Sequence, residues 1–261
     1  MSSVLVKDFF DGHAEEYKTK YSRGNKFYEY FFFERLDEAT KGIDFKQKAI
    51  LDVGSGTGPL FDYLHEIGQS DFSKFVATDI SEQMLNQSNV PVENRFAGNF
   101  AELEFDSKFD LIFMLGVTTY LSPADLKAYF KKVESLLVPG GQFIVTFTNQ
   151  RSLDIWMRGL LSPLRKLMAG KNRVLAQDFD TWYYTKKEAL NHLPQGMTSE
   201  QIIGINHTIF PFSRLLSSIS ISIAKRIYGW KDTGFKLWLS SDFLIRARLQ
   251  SSPQPSPRER E

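Results

Sequence analysis

Cysteine is absent from the 261 residues. That removes disulfides, thiolate zinc sites and a cysteine nucleophile, and it suits a reducing, cytoplasmic setting. Net charge is nearly absent too, since 32 basic and 31 acidic side chains leave +1 at pH 7. Such a balance gives no overall field to gather a polyanion, so a nucleic-acid partner is not expected. The four histidines, His13, His65, His192 and His207, form no helical pair or cluster, so no metal site is expected. No apolar run reaches the roughly 18 residues of a membrane span. The greasiest window, Ile209 to Ala224, is interrupted by Arg214 and five serines. The first eight residues lack a basic stretch before an apolar core, so a signal peptide is not expected.

Phenylalanine, by contrast, is plentiful, with 23 copies. These fill a core or wall a pocket for a flat, apolar ligand. The length suits one α/β domain with a modest cap. Val4 to Thr40 reads as two helices around a turn at Ser22-Arg23-Gly24-Asn25, rich in aromatic residues. From Ala49 onward, short apolar runs alternate with amphipathic stretches. Strands are expected over Ala49–Val53, Phe75–Thr78, Arg95–Ala97, Leu111–Leu115 and Phe143–Phe147, then Glu200–Ile209 and Ser241–Leu249. Helices are expected over Pro59–Ile67, Ser81–Ser88, Pro123–Leu137, Thr185–Leu193 and, from apolar spacing, Phe212–Ile227, although Ile219 to Ile223 also alternates like a strand. Ser122-Pro123 is a start signal and Pro139-Gly140-Gly141 a stop. Such alternation implies a parallel sheet with its ligand at the strands' carboxyl ends.

The chemistry concentrates in Leu51-Asp52-Val53-Gly54-Ser55-Gly56-Thr57-Gly58-Pro59. Alternate glycines let a ligand lie against bare backbone, and the following helix offers unpaired N–H groups. Dinucleotide-binding turns share this much, but their spacing is G-x-G-x-x-G. Here Asp52 also precedes the first glycine. A carboxylate there repels a pyrophosphate and attracts an ammonium or sulfonium.

The segment resembles the first motif of the class I S-adenosylmethionine (SAM)-dependent methyltransferases, and further elements follow in that family's order. Phe75-Val76-Ala77-Thr78-Asp79-Ile80 is similar to the second strand, where the resemblance gives Asp79 the ribose hydroxyls and places Ile80 and Met84 beside the adenosine. Ala97-Gly98-Asn99-Phe100 resembles the third motif, with Asn99 in place of the usual aspartate. Asn99 then either accepts from the adenine amino group or simply serves a turn. Phe109 to Leu121, with Leu115 and Tyr120, resembles the fourth strand and the loop beside the methyl group. Leu136 to Phe143 resembles the corner before strand five.

The resemblance covers about Lys48 to Thr148. It implies a Rossmann-like α/β fold: a seven-stranded, mostly parallel sheet with helices on both faces and the last strand antiparallel. A single domain over 1–250 would comprise an N-terminal flap (1–45), a SAM-binding core (46–150) and caps at 151–180 and 209–235, followed by a disordered tail (251–261). The flap is similar to the tyrosine-containing flap of ubiquinone-type and related small-molecule methyltransferases, and the layout alone resembles enzymes methylating quinone precursors, tetrapyrroles and other secondary metabolites. Tyr17 and Tyr21 would then close over SAM and Arg23 reach its carboxylate; aromatic packing and a solvated arginine read the same residues equally well.

The implied cofactor contacts are Asp52, Gly54, Gly56, Gly58, Asp79, Ile80, Met84, Asn99, Phe100 and Leu115, with Tyr17 and Arg23 from the flap. No catalytic base is obligatory; His207 and Tyr120 are candidates, and a structural histidine is the competing reading of His207. Arg158, Arg165, Lys166, Lys171 and Arg173 read as a solvated face. The implied activity is methyl transfer to a small, apolar or aromatic acceptor at O, N or C. Alternatives are a non-catalytic SAM-binding protein and a nicotinamide-dependent oxidoreductase. Nothing resembles the Asn-Pro-Pro-Tyr tetrad of base-modifying relatives, and peripheral membrane contact over Ile209 to Ala224 stays open.

Overall fold

Ile50, Leu51 and Val53, like Ile112, Phe113 and Met114, are buried whichever way they point. Strands covered on both faces by helices demand this, and it explains their unbroken apolar runs. The computed structural model describes residues 2–20, 26–161 and 180–251. Their sheet has seven strands, β1 (Ala49–Val53), β2 (Lys74–Asp79), β3 (Arg95–Ala97), β4 (Phe109–Met114), β5 (Leu137–Thr148), β6 (Met197–Ile205) and β7 (Asp242–Leu249). The spatial order is β3-β2-β1-β4-β5-β7-β6. β1 pairs in parallel with β2 and β4, β2 with β3 and β4 with β5. β7 runs antiparallel to both β5 and β6. The fold is the Rossmann-like one. Strand order reverses between β1 and β4, and a crevice opens there at the carboxyl ends.

Two apolar clusters fill the layers on either side of the sheet. One gathers Leu51, Ile112, Phe130, Phe143 and Phe147, the other Ile50, Phe45, Leu64, Phe75 and Phe113. The helices are α1 (Ser2–Lys20), α2 (Lys26–Thr40), α3 (Pro59–Glu66), α4 (Glu82–Asn86), α5 (Pro123–Leu136), α6 (Leu153–Leu160), α7 (Lys186–His192), α8 (Phe212–Leu215), α9 (Ser217–Tyr228) and α10 (Gly234–Leu239). Ser122 caps α5 by accepting from the Asp125 N–H, and Thr185 with Glu188 forms a capping box on α7.

Three expectations are corrected. β5 begins at Leu137, not Phe143, because pairing with β4 starts at Phe109↔Leu137 and resumes at Leu111↔Gln142. α5 does end at Leu136, as the Pro139-Gly140-Gly141 signal requires, and the same three residues form an irregularity within the β4–β5 pairing. β6 ends at Ile205, and Asn206 turns the chain out of the sheet with φ 60°. The helix expected over Phe212–Ile227 is broken at Leu216, whose φ −133° and ψ 52° are not helical. The turn at 22–25, with Arg23, and Tyr21 lie outside the described residues, as do 162–179 and 252–261.

Candidate active site

Hydrogen bonds tie the tips of β1 and β2 into one surface. The Gly54 and Ser55 N–H groups both donate to the Thr78 carbonyl, at 2.8 and 2.9 Å. The Asp79 carboxylate accepts from the Gly56 N–H at 2.8 Å through Oδ2 and from the Ser81 N–H at 2.9 Å through Oδ1. A β-carbon at Gly54 would lie 2.3 Å from Val117 Cγ2, and the residue's φ is +70°. Glycine is needed there because the β1 turn presses against the loop after β4.

The crevice holds a cavity of about 550 Å³, within the usual range for small-ligand sites. Asp52, Gly54, Gly56, Asp79, Ile80, Met84, Asn99, Phe100 and Leu115 line it, with Tyr17 and Tyr120. Gly58 and His207 do not. Gly58 faces α4, where a β-carbon would sit 2.3 Å from Ser88 Oγ, so it serves packing. His207 is buried, its Nδ1 2.8 Å from Glu34 Oε1.

The electrostatics of this half select a cation. Asp52 is buried and accepts no hydrogen bond among the described residues. Burial, and secondarily the neighbouring Asp79 charge, push its carboxyl up to about 8. Burial also raises Asp79, to about 6, against the pull of its backbone N–H donors. Two carboxyls that resist ionisation side by side gain most when a positive ligand enters. Ser55 Oγ and Thr78 Oγ1, on residues lining the cavity, are buried with no partner among the described residues. These features fit a ligand carrying an ammonium, a sulfonium and a ribose diol.

Asn99 is more constrained than its sequence suggested. Its Oδ1 accepts from the Tyr129 hydroxyl at 3.0 Å and the Ala101 N–H at 3.2 Å, and its Nδ2 donates to Glu102. Both lone-pair directions of the oxygen are taken, which favours the turn-building reading. Burial raises the Tyr129 phenol to about 12, so it stays a donor.

Residues 50–141 match a family described as a methyltransferase domain. Within them the chain carries a methyltransferase domain. Solved structures agree in fold. The magnesium protoporphyrin IX methyltransferase of Synechocystis, with bound S-adenosylhomocysteine, superposes with a TM-score of 0.61 at 15% identity, covering 96% of this chain and 100% of that one. A SAM-dependent methyltransferase from Clostridium acetobutylicum gives 0.56 at 15% identity over 91% and 99%. One from Mesorhizobium loti gives 0.54 at 19% identity over 82% and 95%.

The far half of the cavity uses residues that the sequence did not assign to a site. Arg35 Nη2 lies 3.1 Å from Asp242 Oδ2, and its guanidinium sits over the Phe31 and Phe32 rings. Arg35 crosses Gly116 so closely that a β-carbon there would be 2.7 Å from Nη1. Arg158, expected on a solvated face, instead lines the cavity and pairs with Asp154 at 2.6 Å. Arg35 and Asp242 stand 207 positions apart, and no local pattern announces such a pair. The Asp154–Arg158 pair had a signal in its i, i+4 spacing.

The N-terminal helix covers the cavity. Asp11 of α1 accepts from the Ser81 hydroxyl, and Phe10 packs edge-on against Tyr120 at 5.3 Å. Among the described residues, none from 209–235 lines the cavity, and α9 rests behind α2, where the Tyr228 hydroxyl donates to Asp37.

Proposed function

We propose that the protein transfers a methyl group from SAM to a small, largely uncharged acceptor bound between α1, α2 and α6. The carrying observation is the cavity's far half. Phe10, Phe31, Phe32, Tyr120 and Ile155 wall it, and its two arginines already have aspartate partners. Such a chamber is near neutral in charge and walled by α1, α2 and α6, which disfavours an extended polyanion or a folded protein surface.

Asp79 would hold the ribose diol, Asp52 would face the positive end of the methionine moiety, and Met84 and Ile80 would flank the adenosine. Bound there, SAM supplies a methyl carbon activated by its sulfonium. The protein's work is alignment and water exclusion. The Asp11–Ser81 bond and the Phe10–Tyr120 contact hold the flap across the cavity, and we read Tyr17 as part of the same cover. Of the two candidates for handling an acceptor proton, Tyr120 lines the cavity and His207 does not, so Tyr120 is the residue we assign to the acceptor. An acceptor with no proton to lose needs neither.

Incubation with methyl-labelled SAM and a fractionated metabolite extract tests this reading. Label should enter low-molecular-weight products, and Tyr120→Phe should lower turnover while leaving SAM affinity within about twofold. Label confined to nucleic acid or protein would refute the small-molecule assignment.

A further inference from the structure

Soluble monomers seldom expose a contiguous apolar patch beyond a few hundred Å². Among the described residues, 16 large hydrophobic side chains are exposed, and ten of them lie on α6 and the stretch from α8 to α10. α9 is inverted relative to an ordinary packed helix. Small Ser220 and Ala224, with Ile227, face inward, whereas Ile219 and Ile223 are 57% and 52% exposed. Phe212, Leu215 and Leu216 extend the greasy side into the preceding turn.

This outward display is built rather than frayed. The buried Lys236 ammonium donates to the carbonyls of Tyr228 and Trp230, both at 3.0 Å, and pairs with Asp232. The turn is thereby fixed with Trp230 half exposed, in line with Phe235 and Trp238. Asn149, at the end of β5, donates to the Leu237 and Ser240 carbonyls and holds α10 from beneath. Polar staples sit inside and aromatic rings outside, the reverse of what an aqueous surface favours.

Two features say what covers this face. Ile209 to Lys231 carries four basic residues, Arg214, Lys225, Arg226 and Lys231, and no acidic one. Large apolar side chains, interfacial tryptophans and unbalanced positive charge suit the headgroup boundary of an anionic bilayer. The face also reaches the cavity. Asp154, Ile155 and Arg158 of α6 line the cavity wall, while Trp156 and Leu160 of the same helix are each 60% exposed. α6 in turn meets the α8 turn, since the Phe210 N–H donates to Asp154 and Arg158 lies over the Phe210 ring.

We propose that α6, α8, α9 and α10 form a docking face for an anionic lipid surface, bringing the cavity beside the bilayer so that a lipid-soluble acceptor enters from it. Docking stands on the surface alone; only acceptor delivery rests on the methyltransferase reading above.

Flotation of the full chain tests docking without any turnover. Vesicles of phosphatidylcholine and phosphatidylglycerol in equal parts should carry the protein upward, and phosphatidylcholine alone should do so less. Ile219→Ser with Ile223→Ser should lower the partition coefficient at least about tenfold, with SAM affinity by calorimetry unchanged. Lys225→Glu with Arg226→Glu should remove the preference for anionic vesicles. Failure of the wild type to float, or equal flotation of the serine variant, overturns the proposal. So does light scattering that finds a wild-type dimer which the serine variant dissolves, because the face then belongs to a second copy.

Discussion

Titrating the pH of SAM binding probes the cavity at the point where its physics is most unusual. Asp52 is pushed up to about 8 and Asp79 to about 6, from an ordinary 3.8. The folded protein therefore keeps protons that the unfolded chain has released. Its stability falls as the pH rises from the ordinary carboxylate range through these raised values. A bound cation reverses the preference by favouring the ionised carboxylates. SAM affinity should accordingly rise with pH. One required ionisation with its midpoint near 8 gives a slope of about tenfold per pH unit between pH 5.5 and 7.5. Calorimetry in two buffers of different ionisation enthalpy should register close to one proton released per SAM at pH 7. Asp52→Asn should flatten the slope and make the empty protein more stable at neutral pH. A wild-type affinity independent of pH, with no proton released, would refute the assignment of Asp52 as the cation's partner.

Asp79→Ala should weaken SAM binding by about 100-fold or more, since it would remove the charge-assisted bonds proposed to both ribose hydroxyls; unchanged affinity in calorimetry would remove Asp79 from the ribose site. Gly54→Ala should cost about 1–3 kcal/mol in thermal unfolding, as it strains a positive φ and strikes Val117. Gly12→Ala, with open space around the new methyl inside α1, should stabilise by about 0.5–1 kcal/mol. His207→Ala should cost about 3–5 kcal/mol, because it leaves buried Glu34 without its partner. The folded fraction should keep its turnover number; abolished turnover at unchanged stability would restore His207 as a base.

The half of the cavity proposed for SAM was legible as a cluster because its residues are local. Asp52 and the glycines are consecutive, and Asp79 ends the next strand, so strand registers bring them together. The half proposed for the acceptor was not, since Arg35 meets Asp242 only after α2 and the start of β7 have each found their place. Which way a side chain faces was less legible. Ile219 and Ile223 repeat at the spacing that announced a helix, and they face outward. Arg158 reads as a solvated charge, yet it turns toward Asp154 and the cavity. Periodicity reports that a helix has two faces and is silent on which face meets the core. The Pro139-Gly140-Gly141 stop marked the end of α5 correctly, but it hid the early start of β5, because strand pairing can bridge a locally irregular stretch.

The central claim, that the Asp52–Asp79 crevice is the SAM site of a methyltransferase, is tested most directly by a crystal structure of the protein grown with S-adenosylhomocysteine. The account predicts density in the crevice, with both ribose hydroxyls on the Asp79 carboxylate, the adenosine against Met84 and the amino group toward Asp52. A ligand bound elsewhere, or in the crevice with its ribose away from Asp79, would contradict it.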